Sequence, residues 1–114
     1  MRIIDTKEIE ERVYKMARRA GLTLTDSCRA ALNSAKERET GAAEFALSAL
    51  LENEKTAKRE QMPVCQDTGM AVVLISLGQE VQLVGAPLKD AVNEGVRRAY
   101  EDGKFRKSIC DPLT

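Results

Sequence analysis

Apolar residues recur at helical spacing three times in the first half of the chain and once more near its end. Between them lies one run that is apolar without a break. In the first periodic segment Ile9, Val13, Met16, Ala17 and Ala20 fall on one stripe, which predicts a helix over about 5–20. Asp5 is placed to cap it, with Glu8 three residues on, and Gly21 reads as its stop. A second helix is expected over about 25–38, with Cys28, Ala31, Leu32 and Ala35 on its inner face, ended by Thr40-Gly41. A third, over about 42–59, turns Ala43, Ala46, Leu47, Leu50, Leu51 and Ala57 inward and leaves Glu54 and Lys58 as an exposed pair. Stripes so rich in alanine allow close helix approach but bury little area per residue.

Pro63 and Gly69 bound a loop, residues 63–69, and the unbroken apolar run Met70-Ala71-Val72-Val73-Leu74-Ile75-Ser76-Leu77 follows it. With β-branched residues at its centre and no polar face, the run predicts a strand covered on both sides. Gly78-Gln79-Glu80 signals a turn and Val81-Gln82-Leu83-Val84 a return, so a hairpin is expected over about 70–84. Pro87 opens a last helix, about 87–102, with Leu88, Ala91, Val92, Gly95, Val96 and Ala99 on its buried face. Gly95 weakens that helix by roughly 1 kcal/mol against alanine, which is tolerable where another backbone must come close. The expected architecture is α+β: a three-helix N-terminal layer, a hairpin, then a packed helix, in what reads as an incomplete domain.

Composition narrows the function. The chain has 114 residues, room for one core. Lysine plus arginine equals aspartate plus glutamate at 18 each, so the charge balance gives no basic excess for nucleic acid. Residues 1–11 alternate charge with no apolar stretch of the kind a secretion signal needs, and residues 70–77 are too short for a membrane span. Three irregularly spaced cysteines argue against a disulfide framework and for a reducing, cytoplasmic setting. Histidine is absent, which excludes histidine catalysis and histidine metal ligands within these residues.

The loop Pro63-Val64-Cys65-Gln66-Asp67-Thr68-Gly69 holds the densest chemistry. Read blandly, Cys65 is a core thiol and Asp-Thr-Gly a turn. Cys28, beside Ala31 and Leu32, and Cys110, beside Ile109, fit that structural role. Read functionally, Cys65 is presented at the end of a rigid element. It would then need ligands or partners from elsewhere, because one cysteine holds neither zinc nor an iron–sulfur cluster.

The segments "PVCQDTGMAVV", "GQEVQLVG", "LKDAVNEGVRRAYEDG" and "FRKSICDPL" resemble the start of the alpha subunit, or alpha half, of the iron–sulfur-dependent class I fumarate hydratases. The "CQDTG" core is shared with the L-tartrate dehydratase alpha subunit. The likeness is strong from Pro63 to Leu113 and only general across the first three helices. It implies a hydro-lyase interconverting (S)-malate and fumarate, with Cys65 as one of three cysteine ligands to a [4Fe–4S] cluster. It also implies Gln66 and Asp67 at the dicarboxylate, with Asp67 handling a proton at the hydroxyl, and Arg106, with Lys107 next to it, clamping a carboxylate. Thr68 would tie the loop and Gly69 free its backbone.

The resemblance implies further a beta subunit or C-terminal half as partner, a dimeric assembled enzyme, and no membrane or nucleic acid. The other two cluster cysteines would lie outside these residues. Cys110 does not replace them, and the chain stops at "DPLT" where such proteins continue. On this reading residues 1–114 are an N-terminal fragment that is inactive alone. Two alternatives stay open: a tartrate-type dehydratase, and a non-catalytic remnant serving as an interaction module. Read without the resemblance, Arg106 and Lys107 are basic residues opposing a helix dipole, and Arg97-Arg98 a solvated helix edge.

Overall fold

The computed structural model describes residues 1–113; Thr114 lies outside the described residues. The chain begins with a short strand, β1 (Arg2–Asp5), that the sequence pattern does not announce. Two isoleucines between charged residues are too brief a run to show a period. Asp5 then caps the first helix, α1 (Thr6–Leu22), its carboxylate accepting from the Lys7 amide at 2.8 Å. Gly21 is not the stop. It lies inside the last turn, where a Cβ would stand 2.3 Å from the Phe105 ring. The glycine makes room for an aromatic ring from the far end of the chain.

Thr25 caps α2 (Asp26–Arg38), and α3 (Ala42–Glu60) ends at Gln61 in the left-handed region. A second strand, β2 (Val81–Val84), and a last helix, α4 (Leu88–Asp102), complete the order. The α+β class and the periodic helices stand, with no helix end shifted by more than two residues.

The hairpin does not. Val81–Val84 pairs with β1, parallel and in register Arg2 to Val81 through Asp5 to Val84, and residues 70–77 form no strand among the described residues. A run apolar on both faces needs a partner strand and cover on each side. Among the described residues β2 pairs with β1, and α1, which follows β1, packs on α4, which follows β2. Residues 70–77 are left without a ladder, and most of their side chains are exposed.

The core sits between α1 and α4, where Val13, Leu22, Ala91, Ala99 and Phe105 are buried. Gly95 lets the helices close: a Cβ there would stand 2.6 Å from the Glu10 carbonyl oxygen. Arg98 is no solvated edge. It crosses from α4 to pair with Glu10 at 2.7 Å and Glu11 at 3.3 Å, and its guanidinium lies 4.6 Å from the centre of the Tyr14 ring. Arg97 does stay outside, tied to Glu94 and Glu101 of its own helix.

The α2–α3 pair is built differently. α2 has no buried residue; Cys28, assigned to its inner face, is exposed, as is Cys110 in the tail. Glu54, expected in solvent, is buried at the α2–α3 contact. It binds Arg29 of α2 and accepts from the Leu24 amide at 3.2 Å, while Arg29 also reaches Asp26 and the Leu24 carbonyl. The Arg29 hydrogen bonds hold the Glu54 carboxyl below its ordinary range, against a smaller opposing effect of burial.

Candidate functional site

Residues 61–69 leave α3 and run past the end of α1. Both backbone groups of Val64 are held on the way. Its N–H donates to the Gly21 carbonyl of α1 at 2.9 Å, and its carbonyl accepts from the Asn53 side-chain amide of α3 at 2.8 Å. At the other end Gly69 takes φ 69°, the left-handed region that favours glycine, and the Tyr100 hydroxyl of α4 lies 3.4 Å from its carbonyl. The loop is thus pinned before Cys65 and weakly touched after Thr68.

Between these points Cys65, Gln66 and Asp67 are exposed. Among the described residues their side chains enter no hydrogen bond or ion pair. A thiol, an amide and a carboxylate therefore stand side by side, uncommitted, on a backbone fixed from behind. Thr68 departs from expectation: its hydroxyl is sealed from solvent without a hydrogen-bond partner, so it does not tie the loop.

Arg106 is exposed in the segment after α4. Its neighbour Phe105 is the anchor: the ring is buried against Gly21 and Gly103 and meets Tyr100 edge-on at 5.6 Å. An apolar cavity of about 380 Å³ has Thr68, Met70, Tyr100 and Phe105 among its walls, with Val13 and Met16 of α1. The fold therefore brings the ends of the two candidate segments to one hollow. No hydrogen bond or ion pair joins the Arg106 side chain to the loop among the described residues.

A metal centre is incomplete here. No group of three histidine, cysteine or acidic side chains among the described residues could hold an ion. Cys28 on α2 and Cys110 in the tail are free and exposed and do not join Cys65. The loop offers one accessible thiol, not a ligand set.

The pattern reading passed over Asn53 and Tyr100 and took Gly21 for a helix stop. Only Asn53 left a trace in the sequence: an asparagine, a poor helix former, between good ones in the middle of a helix.

A family model described as fumarate hydratase (Fumerase) matches residues 10–114. A protein of Methanocaldococcus jannaschii named "Putative L(+)-tartrate dehydratase subunit alpha" is 30% identical over 109 residues, covering 94% of this chain and 38% of its own length. A protein of Geobacillus stearothermophilus named "Putative fumarate hydratase class I" is 28% identical over 110 residues, covering 95% of this chain and 21% of its own. The chain thus spans well under half the length of either curated relative.

Proposed function

Because this chain belongs to the fumarate hydratase (Fumerase) family, we propose that it supplies the Cys65-Gln66-Asp67 loop of an iron–sulfur hydro-lyase that interconverts (S)-malate and fumarate. The observation that carries this reading is the loop itself. Three adjacent functional groups are solvent-facing and, among the described residues, unpaired, on a backbone anchored to α1 and α3.

In this role Cys65 gives one thiolate to a [4Fe–4S] cluster whose other two cysteines come from outside these residues. When bound, an iron with an open position supplies Lewis acidity toward the substrate hydroxyl. This chain's part would be at the hydroxyl and the carboxylates, and the base that takes the C–H proton would come from outside these residues. The Asp67 carboxylate takes or returns a proton at the hydroxyl, and the Gln66 amide donates to a substrate carboxylate. Arg106 offers a forked guanidinium for the far carboxylate. Its exposure, and the absence of a carboxylate partner among the described residues, support this use. The name of the Geobacillus stearothermophilus relative supports the malate–fumarate substrate, and the first relative's designation as an alpha subunit supports a beta-type partner and a multi-subunit enzyme.

Cys65→Ala in the assembled enzyme tests the assignment. It is expected to lose both the brown cluster absorbance and hydration of fumarate, while the helical content of the chain is kept. Full activity in that variant would sink it.

A tartrate-type substrate is the second reading, favoured by the 30% identity to the protein named for that activity. The extra hydroxyl of tartrate needs a polar partner, so a site built for malate discriminates against it. Competition between the two acids for the assembled enzyme separates the readings.

A further inference from the structure

We propose that Asn53 is a positioning residue for the catalytic loop, its side-chain amide latching the Val64 peptide and so setting where Cys65 is presented. The functional consequence rests on the reading above; the latch is a statement about the chain alone.

Peptide units are rigid planes, so each is oriented by what holds its carbonyl or its N–H. The Val64 carbonyl shares a plane with the Cys65 nitrogen, and Asn53 of α3 holds that carbonyl at 2.8 Å. The Val64 N–H shares the preceding plane with Pro63, and the Gly21 carbonyl of α1 holds it at 2.9 Å. Two successive planes are thereby pinned, one to each helix. The next residue is the cysteine, whose position follows from the second plane. Little else links α1 and α3 directly; Arg18 reaches Gln61 at 3.3 Å.

The residue type fits the task. Asparagine is unfavourable in a helix interior, and neighbouring Leu50, Leu51, Glu52 and Glu54 are good helix formers. A side-chain N–H is what a carbonyl requires; aspartate, of the same shape, has no hydrogen to give. The bond is exposed, so a released Val64 carbonyl would be hydrated at small cost. The latch therefore acts on position more than on stability.

The test is hydrogen exchange of the 114-residue chain, residue by residue, in Asn53→Leu. Leucine favours the helix and takes away the amide that donates. Exchange of the Val64 amide, whose own bond runs to Gly21, is expected to quicken by up to about fivefold as the loop loses its second tether, with amides inside α1 and α3 unchanged. Asn53→Gln, which keeps an amide, is expected to recover part of the slow exchange. A nitroxide on Cys65, with Cys28→Ser and Cys110→Ser, should give narrower lines in Asn53→Leu. Unchanged Val64 exchange, or a rise shared by all of α3, would overturn the latch. An assembled enzyme without iron would instead overturn the proposed function and leave the latch in place.

Discussion

Gly95 and Asn53 each occupy a helix position where alanine would serve the helix better, and each is explained by a backbone group of another element. At Gly95 the group is the Glu10 carbonyl, 2.6 Å from where a Cβ would be, with Val13 at 2.9 Å. Helix propensity alone predicts a gain of roughly 1 kcal/mol for Gly95→Ala. Backbone cannot yield as a flexible side chain can, so the clash outweighs that gain. We expect Gly95→Ala to destabilise the chain by about 1–3 kcal/mol and to lower its thermal midpoint, as followed by circular dichroism at the helix band. An unchanged or raised midpoint would mean that α1 and α4 stand farther apart than described. At Asn53 the group is the Val64 carbonyl, and the gain is the placement of a loop.

The two helix pairs differ in what holds them, and pH should separate them. α1 and α4 share buried apolar residues; α2 buries none and is held to α3 chiefly through Arg29 and Glu54. Because the Arg29 hydrogen bonds lower the Glu54 pKa in the folded chain, their contribution is complete above its ordinary value of 4.5. It is lost as pH falls from there through the lowered value, because protonation then uncouples the pair. Amides of α2 are therefore expected to exchange faster relative to those of α4 as pH is taken below about 4.5, after correction for intrinsic exchange. Glu54→Gln should remove that dependence. Equal loosening of both pairs would show that the ion pair is not what holds α2.

The molecule as a whole is extended, with a radius of gyration of 18.0 Å and extents of 57 × 38 × 25 Å. A compact domain of this length would have a radius of about 13 Å. Its accessible surface is 8651 Å², against about 6200 Å² for a compact monomer of its mass. Exposed large apolar side chains are densest in residues 70–77, where Val72 is 75% and Leu74 92% exposed. A patch of this kind binds hydrophobic dyes and favours association. Val72→Lys with Leu74→Lys should reduce both dye fluorescence and self-association without altering helix content, measured by fluorescence and gel filtration. Failure of the unsubstituted chain to bind dye would contradict the exposure of this run.

Local pattern by itself determined the four helices, because amphipathic period and capping residues act within a few positions of each other. It determined the chemistry of the loop too, because Cys65, Gln66 and Asp67 are neighbours in the chain. Only the tertiary structure decided what lies beyond local reach. β2 pairs with β1, 79 residues away in register, and not with the run just before it. Glu54 turns inward to Arg29, Gly21 yields to Phe105, and Asn53 takes hold of Val64. Each of these joins residues whose nearness is created by helix packing, and no spacing along the chain records it.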